Sequence, residues 1–162
     1  MKYIFKELLS FIYLILGRLN YYVLARDQEA IFYFDKTLEL KPYRGDVFFN
    51  RGNAKYFCHY FEDAIKDFDK AIELGFKHKD LYLNRGNSNE ELGKLNDAIL
   101  DYDYVIERNS KYAIAYSHRA IAKLKIESYF EATEDYTNAI NLGYNNETVY
   151  FYRGLAKAAL EL

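Results

Sequence analysis

Ala30, Ala64, Ala98 and Ala132 follow one another at intervals of 34 residues, and this ladder constrains the chain more than any other feature. Two more run beside it at the same period: Gly52, Gly86, Ala120, Gly154 and Phe34, Phe68, Tyr102, Tyr136. A fixed period of this length marks one supersecondary unit copied and stacked. Composition agrees, since 51% of the chain is apolar, enough for a continuous core, and a single proline leaves few forced helix breaks.

Within one period the stretch from Asp46 to Phe57 reads as a first helix, followed by a break near His59. A second helix is expected from Phe61 to Leu74, because Ala64, Ile65, Phe68, Ala71 and Ile72 recur at steps of three and four. Gly75 and Gly143 suit left-handed helix stops, and Pro42 provides the break after the first unit. Glycine inside a helix costs about 1 kcal/mol relative to alanine, so Gly52, Gly86 and Gly154 imply close packing of two helices. The alanine ladder is the expected small surface opposite them. Ala120 at the fourth rung points to a limit on size and not to a need for positive φ.

These rungs resemble the tetratricopeptide repeat (TPR), in a variant that carries Arg-Gly on its first helix and Asp on its second. The signature appears as Gly52, Ala64, Phe68, Ala71 and again as Gly86, Ala98, Tyr102, Val105. Phe48, Tyr82, Tyr116 and Tyr150 stand where the family often has Trp. The helix-closing proline survives as Pro42 alone, with Phe76, Ser110 and Tyr144 at the other positions. The resemblance implies an all-α, right-handed superhelical solenoid of antiparallel helix pairs. It implies one domain over residues 1–162, with units at about 11–44, 45–78, 79–112 and 113–146 and a final helix over 147–162. In this register Arg18 takes the small-residue place of the first unit.

Arg51, Arg85, Arg119 and Arg153 each precede a small rung, and Asp67, Asp101 and Asp135 also step by 34. In a hairpin turning near His59, Arg51 and Asp67 are equally far from the turn. The first unit has Gly17 and Tyr33 at these places and so lacks both partners together. That joint loss favours an ion pair inside each hairpin over a pair with the next one. The competing reading is a row of arginines gripping an acidic ligand.

The resemblance assigns a ligand groove to the first helices. Carried over residue by residue, it gives Phe49, Asn50, Asn53 and Tyr56 in the second unit and Leu83, Asn84 and Asn87, with Glu90, in the third. The fourth unit supplies Ser117, His118, Ile121 and Lys125, and the last helix Phe151 and Tyr152. Asparagines can hydrogen-bond an extended peptide, and Tyr or Phe supply anchoring area. Asn53 and Asn84 match the asparagines of the carboxylate clamp by which some family members hold acidic tails. Phe49, Ile114 and His118 stand at its cationic positions, so a free carboxylate is not the expected ligand.

The expected function is therefore a non-catalytic module that binds a peptide or helix of another protein. Self-assembly through the apolar terminal segments (Tyr3, Ile4, Phe5, Leu8, Leu9 at one end; Leu155, Leu160 and Leu162 at the other) is the alternative. A net charge near −2, from 22 basic and 24 acidic residues, offers no basic stripe for nucleic acid. His59, His78 and His118 fall at different places in their repeats, so no metal set is expected, and no glycine-rich phosphate loop suggests a cofactor. Cys58 reads as a small hydrophobe. Asn146-Glu147-Thr148 fits a glycosylation acceptor. Lys2 and Lys6 ahead of the apolar run Leu8–Leu16 resemble a secretory signal, but Glu7 and the lack of a small-x-small cleavage site favour a first helix. The run is also too short for a bilayer, so no membrane partner is expected. A cytoplasmic location follows, with export the alternative if residues 1–17 act as a signal.

Overall fold

The computed structural model describes residues 2–161, and among them it contains nine helices and no strand. These are α1 (Lys2–Tyr22), α2 (Asp27–Leu40), α3 (Gly45–Phe57), α4 (Phe61–Glu73), α5 (Leu81–Glu91), α6 (Leu95–Arg108), α7 (Ala113–Lys125), α8 (Tyr129–Asn141) and α9 (Glu147–Leu160). The chain divides into two compact units, Met1–Leu81 and Tyr82–Leu162. In the first, α1 packs on α2 and α3 on α4; in the second, α6 and α8 pack on α7, and α9 packs on α8.

Each second helix buries one stripe: Ala30, Phe34 and Leu38; Ala64, Phe68 and Ala71; Ala98, Tyr102 and Val105; Ala132, Tyr136 and Ala139. The aromatic rung is the contact that demands the small rung. A Cβ on Gly52 would come 2.8 Å from a ring carbon of Phe68, and one on Gly86 would come 2.7 Å from Tyr102. The glycines thus face the aromatic ladder, not the alanine ladder expected from sequence.

In the first hairpin this role falls to Gly17, whose added Cβ would come 2.6 Å from Phe34, and not to Arg18. The reason is one extra residue in the turn. Elsewhere the hairpin closes with a hydrogen bond over five residues, as from Tyr60 N–H to the Lys55 carbonyl and from Ser128 N–H to the Lys123 carbonyl, both 2.9 Å. In the first hairpin the equivalent bond runs from Arg26 N–H to the Asn20 carbonyl, over six. Every position of α1 before the turn is therefore offset by one.

The turns share a left-handed residue at one place: Ala25 (φ 50°), His59 (61°), Gly93 (71°) and Glu127 (64°). Between hairpins, α4 ends in a Schellman motif. Gly75 (φ 71°) lets Phe76 N–H reach the Ala71 carbonyl at 3.0 Å, and Gly143 (φ 91°) repeats it with Tyr144 and Ala139 at 2.9 Å. Asn146 caps α9, its Oδ1 accepting from Val149 N–H at 2.9 Å.

Candidate functional site

The Arg and Asp ladders meet inside the hairpins. Arg51 grips Asp67 with two parallel hydrogen bonds, Nε to Oδ2 at 2.8 Å and Nη2 to Oδ1 at 2.5 Å. Arg119 grips Asp135 in the same way, and Arg85 binds Asp101. A guanidinium fork matched to a carboxylate is the strongest geometry such a pair can take. A second acidic ladder at the same period adds to it. Arg51 Nη1 lies 2.5 Å from Asp35, and Arg119 Nη1 lies 2.5 Å from Asp103, each on the preceding hairpin. The arginine therefore pairs within its hairpin and also across to its neighbour. Each arginine also lies over the aromatic residue three positions before it, Phe48, Tyr82, Tyr116 or Tyr150, at 5.2–5.5 Å.

The carboxylates are buried, Asp67 at 3%, Asp101 at 4% and Asp135 at 2% exposure. Lys55 and Lys123 each add a contact of 2.8 Å to Asp67 and Asp135, while Asn89 takes the equivalent place beside Asp101 at 3.4 Å. Burial works against the Arg119 charge, but the hydrogen bonds to Asp135 and Asp103 outweigh it and raise its pKa above the ordinary value. These arginines have their charge committed to the fold.

The groove candidates separate by depth. Phe49 is buried against Phe68, Phe76 and His78, with ring centroids 6.2, 5.6 and 4.5 Å away. Leu83 and Ser117 are buried in the compact unit Tyr82–Leu162, and Asn50 and Asn53 in Met1–Leu81. Asn50 Oδ1 accepts from Tyr22 O–H at 2.9 Å. Tyr56, Asn84, Asn87, His118, Ile121 and Tyr152 are half-buried, and Lys125 is exposed.

Within Tyr82–Leu162 several of these converge. Asn87 and Glu90 lie one turn apart on α5 and so share a face. The Tyr102 hydroxyl, coming from α6, lies 2.9 Å from Asn87 Oδ1 and 3.1 Å from Glu90 Oε2. Lys125 Nζ on α7 donates to Glu90 Oε1 at 2.7 Å, His118 Nδ1 stands 3.9 Å from Oε2, and the His118 ring lies 5.8 Å from that of Tyr102. Burial alone would raise the pKa of Glu90; contacts with His118 and Lys125 outweigh it and hold the carboxyl below its ordinary value. Glu90 is thus the hub of this surface; its register puts it among the groove positions, but its contacts with Tyr102, His118 and Lys125 are not legible in the sequence.

Among the described residues no three His, Cys, Asp or Glu side chains are grouped to hold a metal, and no helix is long and apolar enough to cross a membrane. Cys58 is half-buried at the end of α3, and burial, with Asp27, pushes its thiol pKa up.

Comparison with solved structures places this arrangement. MamA superposes at a TM-score of 0.87 with 22% identity, over 95% of this chain and 84% of that one. YrrB, a TPR protein with an unusual peptide-binding site, superposes at 0.81 with 19% identity, over 92% and 76%. The chain has the tetratricopeptide-repeat fold. The first TPR domain of Spaghetti (RPAP3), bound to the HSP90 peptide SRMEEVD, matches this chain at a TM-score of 0.69 and 24% identity, over 73% of it and 94% of that domain. No family model matches the sequence, and no curated protein does. The Arg-Asp rungs brace the repeat, while Asn84, Asn87, His118, Ile121 and Tyr152 on α5, α7 and α9 stay half-buried.

Proposed function

We propose that the chain is a non-catalytic interaction module whose first-helix face binds a peptide or helix of another protein. The observation that carries this reading is the network of Asn87, Glu90, His118 and Lys125 around the Tyr102 hydroxyl. Its polar groups are held in place across three helices before any ligand arrives, which lowers the ordering cost of binding. The HSP90 peptide bound to the first TPR of Spaghetti (RPAP3) and the peptide-binding site of YrrB, both like-folded, support the same use of the fold. An acidic tail of the SRMEEVD kind is not the expected ligand. Phe49 is buried at one clamp position, and His118 and Lys125 already face Glu90.

The test begins with dodecapeptides selected from a random phage library on the intact chain, then synthesised and titrated by fluorescence anisotropy. The double variant His118→Ala, Lys125→Ala should weaken them at least tenfold while melting within a few degrees of the parent. Undiminished binding would move the ligand off this face.

A second reading, self-association through the terminal helix, rests on α1. Its small and polar residues Ser10, Gly17 and Asn20 are turned inward, while Ile4 (71% exposed), Leu8, Phe11 (59%) and Ile15 face outward. A contiguous apolar stripe on a helix marks an interaction surface. Light scattering should show mass rising with concentration; a constant monomer mass over the micromolar range would remove this reading.

A further inference from the structure

Tyr136 is 1% exposed, yet its hydroxyl has no hydrogen-bond partner among the described residues. Buried polar groups are nearly always satisfied, so each exception calls for a reason. Packing does not provide one, because Phe34 and Phe68 fill the same rung without a hydroxyl. The third unit has a tyrosine there too, but Tyr102 keeps Asn87 and Glu90 beside its hydroxyl. One period later those two places are taken by Ile121 and Leu124. The fourth unit has thus kept the donor and replaced both acceptors with apolar side chains.

We propose that the Tyr136 hydroxyl is the anchoring donor of a peptide subsite within Tyr82–Leu162, taking a main-chain carbonyl of an extended segment whose adjacent apolar side chain packs on Ile121, Leu124 and Tyr152. The inference rests on the peptide-binding reading above and names the part of that surface that selects the ligand. Ile121, Leu124 and Tyr152 are half-buried against the cluster that holds Tyr136, and the Tyr152 ring stacks on Tyr136 with centroids 6.4 Å apart. They form an apolar cover that a side chain of the ligand can replace. Burial, with Tyr152 and Glu90 nearby, raises the phenol pKa, so the group stays a neutral donor. The Glu90 charge acts against an anion at this point, which leaves a neutral acceptor, and an extended peptide presents one at every residue.

The selected dodecapeptides supply the probe. Against Tyr136→Phe they should bind roughly 3- to 10-fold more weakly, the loss expected for one hydrogen bond. The free variant should melt no lower than the parent, since an unsatisfied hydroxyl has been removed. With ¹³Cζ-labelled tyrosine, the Tyr136 resonance of the parent should shift on peptide addition. Equal affinity for Tyr136→Phe, with binding still lost in the His118→Ala, Lys125→Ala variant, overturns the anchor and leaves the interaction module standing. Equal affinity for both variants overturns the two readings together. A Tyr136→Phe chain that melts lower than the parent shows a structural hydroxyl and also overturns the anchor.

Discussion

Asp135 shows how much a single side chain carries here. It receives a bidentate Arg119 and a Lys123 in a site almost closed to water. Removing one partner of a buried ion pair leaves the other charges desolvated and unpaired, at a cost of about 3–5 kcal/mol. Asp135→Ala should therefore lower the stability by roughly 3 kcal/mol in urea titration. Affinity for the selected peptides, measured well below the melting point, should not change; lost binding with unchanged stability would instead make the arginines a ligand clamp. Glu90 makes a pH prediction. Its pKa in the fold lies below the ordinary carboxylate value of 4.5, so its contribution to stability is fully present above that value. It is lost as pH falls through the folded value. The stability gap between parent and Glu90→Gln should be present at pH 5 and narrow progressively as pH falls below about 4.5. A gap that does not change on acidification would contradict the hub role.

At the scale of elements, the turns carry strain that the repeat does not require. Gly93 takes the left-handed conformation without cost, whereas His59 and Glu127 place a Cβ there. Glu127→Gly should stabilise the chain by about 1 kcal/mol, raising Tm by roughly 2–4 °C, and Gly93→Ala should do the reverse. Calorimetry of the two variants checks both signs. Nothing in the sequence announces these turns as alike, because Ala25, His59, Gly93 and Glu127 share no chemistry; only their spacing links them. The helices themselves were legible, since Ala64, Phe68 and Ala71 recur with helical spacing and Gly75 stops α4 where expected. The Arg51–Asp67 pair was legible too, because a hairpin sets both at one height. The link from Arg51 to Asp35 was not, since it depends on how one hairpin seats on the next. The burial of Phe49 is not legible in its register, because its ring turns toward Phe76 and His78. The Tyr136 hydroxyl emerges only when the residues around a rung are compared, not the rung itself.

For the molecule as a whole, the outward apolar stripe of α1 is the surface on which self-association can be tested. If α1 mediates self-association, Phe11→Glu with Ile15→Glu should convert the chain to a monomer by light scattering without loss of helical circular dichroism, because both side chains already face water. Persistent association in that variant would place the contact elsewhere. The extra residue in the first turn has a different consequence, for engineering. A copy of residues 60–93 inserted after Gly93 keeps every rung in step, so an array built this way can be lengthened by whole modules. A module cut in α1 and rejoined in α3 must instead be 35 residues long, the distance from Gly17 to Gly52. With the ordinary length, every side chain before the joint would turn by about 100° around its helix, and the ring of Phe34 would meet an arginine where it needs a glycine.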